Sequence, residues 1–415
     1  MNPNNDFSRR NFSAFLWHAF LLAVTVTFTE INTVLPAMII RIGGREIHIG
    51  IMTGIMVGVP LASQLLFASF LHSRALKKPF LLIGINARII ALALIAVTIL
   101  SISRFSITAG LLIIYGELLL FTVSGAFAGI SYVDIIGKSF SGDLRKKFFI
   151  SKQFAATAGI LISAVLARYI LGVRDYPGNY FLLFAMASGV LLTASGGFWF
   201  LKERPAFEGK KRERITLGKT IRSIPGIVRT DSNVKNYILV SNLLGASIVL
   251  LPFYISLAKL RYSLDPALIG NLLLIQIAGM TAASFLWTRV VKKRGFKGVL
   301  YVFAGIGIIL PAAAVLISKF LPLNWYYPVF ALSGMALSSQ KITAEAVVIE
   351  ISTDDNRALY TGIFGTFNLT LALFPVIIGS VLGIVGYTSV FTAVSVCAFI
   401  SIFFIRRMFC PVDRT

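Results

Sequence analysis

Residues Lys202–Lys235 read KERPAFEGKKRERITLGKTIRSIPGIVRTDSNVK. The stretch carries ten Lys or Arg (202, 204, 210, 211, 212, 214, 219, 222, 229 and 235) against four acids (203, 208, 213 and 231). The sequence on both sides of it is mostly apolar. So polar a segment cannot cross a bilayer, and flanks so apolar cannot remain in water. The chain therefore reads as two hydrophobic domains, 1–201 and 236–415, joined by a basic linker, 202–235, lying at a membrane surface.

Composition agrees with that reading. Of 415 residues, 57% are hydrophobic and 13% are charged, whereas soluble domains carry roughly 25% charged residues. The mean hydropathy is +0.83. A net charge of +22 raises a nucleic-acid reading, but positive residues also mark the cytoplasmic side of membrane proteins. Their distribution favours the membrane, and no nucleic-acid partner is expected. Cys397 and Cys410 supply neither a disulfide framework nor metal spacing. His18, His48 and His72 do not cluster, so no metal and no cofactor is expected.

Twelve apolar segments follow in order: 12–40, 49–71, 79–100, 107–136, 148–171 and 180–201, then 237–257, 267–291, 299–317, 325–349, 359–384 and 387–405. The first runs past 20 residues without a small-x-small cleavage pattern, so it reads as a span rather than a signal peptide. Each is long enough to cross about 30 Å of hydrocarbon as a helix. Backbone groups in lipid must be satisfied within the segment, which makes helices the expected form. The ten-residue alternating segments of a membrane barrel are not seen. With the N-terminus inside, 29 of the 39 Lys and Arg fall in cytoplasmic segments and eight in outside loops. That asymmetry places both termini and the linker in the cytoplasm of a multi-pass plasma (inner) membrane protein.

The halves echo each other. The loop after the second span reads SFLHSRALKKPFLL and the loop after the eighth reads TRVVKKRGFKGVL. The fourth span ends at Asp134 and the tenth at Glu350, each followed by a basic residue, Arg145 and Arg357. Six spans, a basic strap and six more, with these matched signals, resemble the major facilitator superfamily. That family's loop signature is Gly-x-x-x-Asp-Arg-x-Gly-Arg-Arg. Laid on this chain, Arg74, Lys77 and Lys78 keep the basic positions, while Ser69, Ser73 and Leu76 replace the glycines and the acid.

The resemblance implies an all-α fold of twelve transmembrane helices in two pseudo-symmetric six-helix bundles. It implies a transporter of a small molecule, not an enzyme, that works by rocking alternating access. A monomer is expected, with the lipid bilayer as its surroundings. It implies a cytoplasmic gate built from Arg74, Lys77, Lys78, Asp134, Arg145, Glu350 and Arg357, with Arg74 latching Asp134. It also puts spans 1, 4, 7 and 10 on the central cavity.

Ionisable residues inside spans are costly and therefore informative. Glu30 lies in span 1, Glu117 in span 4, and Lys341 and Glu345 in span 10. Asn32 shares a helical face with His18 and Thr25, and span 7 offers the neutral Asn242. These six, Glu30, Asn32, Glu117, Asn242, Lys341 and Glu345, are the candidates for solute binding and proton coupling. Glu117 is expected to face Lys341 and Glu345 across the cavity. Arg88, inside span 3 at an estimated depth close to that of Glu117, is expected to form a buried structural pair with it. No Walker-type glycine loop is present, so an ion gradient, most simply of protons, is the expected energy source. The rival reading is a non-transporting membrane protein of the same fold, acting as an assembly factor or receptor.

Overall fold

The computed structural model describes residues 3–72, 74–140, 142–203, 226–352, 360, 363–364, 367–368 and 370–408. Among these residues the regular elements are helical. They are α1 (Pro3–Phe28), α2 (Val34–Ile42), α3 (Glu46–His72), α4 (Lys78–Leu100), α5 (Ile107–Ser139), α6 (Gly142–Val173) and α7 (Gly178–Trp199), followed by α8 (Ser232–Val249), α9 (Phe253–Lys259), α10 (Pro266–Phe320), α11 (Tyr327–Ile351) and α12 (Thr370–Arg407). Nine stretches among the described residues are long and apolar enough to cross a membrane. The chain is a multi-pass membrane protein.

Helix numbers and spans do not correspond one to one. A 55-residue helix such as α10 would be about 82 Å long, far beyond a bilayer. It breaks at Gly295, whose φ of 60° and ψ of −168° are not helical. In the same way α12 breaks at Gly386, with φ 79° and ψ 168°. Positive φ is open to glycine because it has no Cβ. In the opposite sense, the predicted first span, 12–40, is interrupted between Phe28 and Val34. The predicted seventh span is likewise interrupted between Val249 and Phe253, where Pro252 precedes α9. Thus the first span of each half is discontinuous. α11, which carries Lys341, Glu345 and Glu350, is not among the nine apolar stretches.

The Cα positions group into two compact units. One takes in Met1–Gly44, Ile55–Arg212 and Asp265–Leu274; the other takes in Arg45–Gly54, Glu213–Leu264 and Ile275–Thr415. The first unit is held by α1 against α6 and α7, and by α4 against α5 and α7. Its core at one end is aromatic: Phe15 meets Phe140, Phe148, Phe198 and Tyr132 edge-on, with centroids 5.2–6.1 Å apart. Gly84 lets α4 approach α5, since a Cβ there would lie 2.8 Å from the Ser124 carbonyl oxygen. In the second unit α8 packs on α12. There the buried Tyr326 hydroxyl donates to the Tyr254 carbonyl at 2.9 Å.

Candidate functional site

The interruption between α1 and α2 is built around Glu30. Its carboxylate accepts hydrogen bonds from the Asn32 amide N–H, the Asn32 side chain and the Thr33 amide N–H, all at 2.7 Å, and from the Thr33 hydroxyl at 2.8 Å. The carboxylate therefore holds the turn that leads into α2, whose N-cap residue is Thr33. Asn32 is thereby committed to the turn, with its amide nitrogen bound to Glu30. Sequence spacing had placed Asn32 on a continuous helical face; the interruption of the helix removes that face.

Glu117 and Arg88 lie on neighbouring helices of the first unit. Glu117 Oε1 accepts from the Thr98 hydroxyl at 2.6 Å, while the buried Oε2 has no hydrogen-bond partner among the described residues. Arg88 stacks its guanidinium over the Phe121 ring, 4.3 Å from the centroid. It rests in a notch left by Gly125, where a Cβ would come 3.1 Å from its Nε. That Nε is buried and has no hydrogen-bond partner among the described residues. The expected Arg88–Glu117 pair is not among the ion pairs formed within 4.0 Å by the described residues. The register explains the correction. α4 and α5 pack with Arg88 opposite Gly125, whereas Thr98, which holds Glu117, lies ten residues farther along α4, about 15 Å of helix.

His18 stacks on Phe198 at 4.1 Å and faces Tyr132 at 5.5 Å. Lys152 on α6 lies 5.1 Å over the Tyr132 ring. Glu117 is the carboxylate nearest in sequence to Phe121, the ring that carries Arg88.

Of the candidates on the later helices, Asn242 donates to the Ile238 carbonyl one turn back on α8, at 2.9 Å. Lys341 is exposed, with Nζ 3.9 Å from Met280 Sδ. Glu350 is half-buried near the end of α11. The Glu345 side chain and Arg357 lie outside the described residues.

The predicted gate residues of the first unit form a polar node where the linker begins. Asp134 is bridged by Lys77 and Lys138, each at 2.7 Å, not by Arg74. Arg74 instead stacks on Phe70 and Phe80, at 4.8 and 5.8 Å. Arg145 donates to the carbonyls of Phe140 and Gly137, closing the end of α5. Lys78 donates to the carbonyls of Trp199 and Leu201 at 2.8 Å.

Sequence reasoning missed the central member of this node, Glu203. Its carboxylate accepts from the amide N–H groups of Lys77 and Lys78 at 2.7–2.9 Å and from Lys138 Nζ at 2.9 Å. An acid 126 residues away thus caps the N-terminus of α4. Asn11 fastens the adjoining residue, donating to the Lys202 carbonyl and accepting from the Lys202 amide. The available signal was an acid directly beside the end of an apolar span, inside an otherwise basic linker.

Apolar helices that carry buried, partly satisfied charges make this a multi-pass helical membrane protein. The major facilitator superfamily model matches residues 20–368, and the chain belongs to that superfamily. Solved structures with the same fold include a mutant of the nucleoside transporter NupG, with TM-score 0.71, 13% identity and coverage of 96% of this chain and 100% of that one. A POT family transporter in complex with 5-aminolevulinic acid gives TM-score 0.72 at 12% identity, covering 96% of each chain. The human organic anion transporter MFSD10 gives TM-score 0.59 at 13% identity, covering 98% of this chain and 100% of that one. No curated protein matches the chain.

Proposed function

We propose that the protein is a secondary transporter that moves a small solute across the membrane by alternating access and couples that movement to protons through Glu117. The observation that carries this reading is the Glu117 carboxyl, buried on α5 with Oε1 held by Thr98 and Oε2 without a donor among the described residues. An intramembrane carboxyl with one unsatisfied oxygen has an atom on which a proton can be loaded and from which it can leave. Burying it ionised and unpaired would be costly. Superfamily membership and the fold shared with nucleoside and peptide transporters support transport of a small molecule.

Twelve crossings complete the proposal: nine apolar stretches, two of them divided at Gly295 and Gly386, and α11. Both termini and the linker are placed in the cytoplasm, with domains 1–201 and 236–415 on either side of linker 202–235. Glu30 is a poorer proton carrier than Glu117, because four donors already hold its oxygens. Lys341, Glu345 and Asn242 are kept as solute contacts on the later helices.

Proteoliposomes enclosing a pH-sensitive dye test the reading against a panel of nucleosides, dipeptides and 5-aminolevulinic acid. Addition of a transported solute should move protons in the parent protein. Glu117→Gln should abolish that movement while leaving solute exchange across a membrane without a pH gradient. Undiminished proton movement in Glu117→Gln would remove Glu117 from the coupling.

A further inference from the structure

Arg88 is the most exceptional charge in the first unit. It sits on α4, inside an apolar helix of 23 residues. A guanidinium offers five N–H donors in a planar fork and remains charged, so a membrane interior tolerates it only with a partner. The protein supplies a ring face, Phe121, at 4.3 Å. It supplies no carboxylate within 4.0 Å among the described residues and no hydrogen bond to the buried Nε. Stacking satisfies the face of the ion and leaves its edge donors unused.

Two further features place this edge in a prepared setting. Gly125 opens the notch that the guanidinium occupies; any side chain at that position would press on Nε, Cζ and Cδ at 3.1–3.3 Å. The one intramembrane acid on α5, Glu117, is engaged with Thr98. A guanidinium whose Nε meets no acceptor among the described residues is what a carboxylate or a phosphate would complete, by a charge-assisted contact.

We infer that Arg88, seated in the Gly125 notch and stacked on Phe121, is the anion-binding residue of the solute site, and that the transported solute carries a carboxylate or phosphate group. The inference rests on the transport reading above for its role, but the binding itself is measurable without transport. Arg88 holds the anionic group while Glu117, on the same helix as Phe121, handles the proton.

The test uses the detergent-purified full chain and its thermal melt at constant ionic strength, with benzoate, phenyl phosphate and uncharged benzyl alcohol as probes. Benzoate and phenyl phosphate separate the carboxylate source from the phosphate source. At least one anion should raise the melting temperature of the parent and benzyl alcohol should not. Arg88→Gln should weaken the affinity for that anion at least about tenfold, the scale of one lost charge-assisted contact, and Arg88→Lys should retain part of it. Gly125→Ala keeps the charge but crowds the notch, and it should weaken binding severalfold. It carries the test should Arg88→Gln not fold. Equal affinity in the parent, Arg88→Gln and Gly125→Ala would overturn the inference, as would failure of both anions to shift the parent. Recovery of parental stability when Glu117→Gln is added to Arg88→Gln would also overturn it, since Glu117 would then be the partner. Arg88-dependent anion binding without any solute-driven proton movement would sink the transport reading alone. Flux of uncharged solutes that is indifferent to Arg88→Gln would sink this inference alone.

Discussion

Two polar regions of the first unit differ in how completely their charges are met. Around the start of the linker, Glu203 accepts from two backbone amides and Lys138, while Asp134 is shared by Lys77 and Lys138. Inside the apolar helices, Glu117 has one donor for two oxygens and Arg88 has a ring in place of an acid. Buried polar groups are normally paired, because an unmet one costs about 1–3 kcal/mol and a charge more. On the reading proposed above, the node around Glu203 serves stability, whereas Glu117 and Arg88 serve binding and coupling.

The comparison can be broken most severely at Glu203. Its side chain is 2% exposed. Glu203→Ala uncaps α4 and strips Lys138 of one partner, which should destabilise the protein by on the order of 3 kcal/mol in chemical or thermal unfolding. A change under about 0.5 kcal/mol, the scatter of ordinary surface substitutions, would mean that the node is ornamental. Next in size is Glu30: replacing this carboxylate, which holds the turn before α2, with Ala should cost about 1–2 kcal/mol by the same measurement. Solute-driven proton movement should persist in that variant, and its loss would return Glu30 to the coupling.

A smaller effect sharpens the picture in the second unit. Glu46, at the start of α3, accepts from Tyr387 at 2.8 Å and from Ser256 at 3.1 Å, and Ser256 and Tyr387 are also hydrogen-bonded at 2.6 Å. This carboxylate is partly exposed and well supplied, so it belongs with the saturated class. Tyr387→Phe should cost about 1 kcal/mol in unfolding, the ordinary yield of one hydrogen bond. No change at all would mean that Ser256 suffices alone.

The class of fold was legible in the sequence because the signal is one of bulk: long apolar segments leave the backbone no alternative to helix. The candidate site was only partly legible. Glu30 was found as an intramembrane acid, but the turn that it holds was not. The run Glu30-Ile31-Asn32-Thr33 with Pro36 behind it carries turn-forming chemistry that a search for spans passes over. The Arg88–Glu117 pairing failed for a different reason. Depth estimated from span ends ignores how two helices slide against each other, and Gly84 and Gly125 set that register by admitting close contact. Glu203 escaped because a single acid in a basic stretch reads as a solvated charge until the root of the linker is brought onto α4. Arg74 was chosen over Lys77 by motif position, whereas Lys77, 7% exposed, is the residue that faces Asp134.

The division between saturated and unsaturated charges is tested most directly by measuring two properties on the same preparations of Glu203→Gln and Glu117→Gln: the melting temperature, and solute-driven proton movement per folded molecule in proteoliposomes. Glu203→Gln should melt several degrees below the parent and keep its proton movement. Glu117→Gln should melt within about a degree of the parent, since a Gln oxygen can still accept from Thr98, and should lose proton movement. The reverse pattern, with Glu117→Gln unstable but active and Glu203→Gln stable but inactive, would contradict the account.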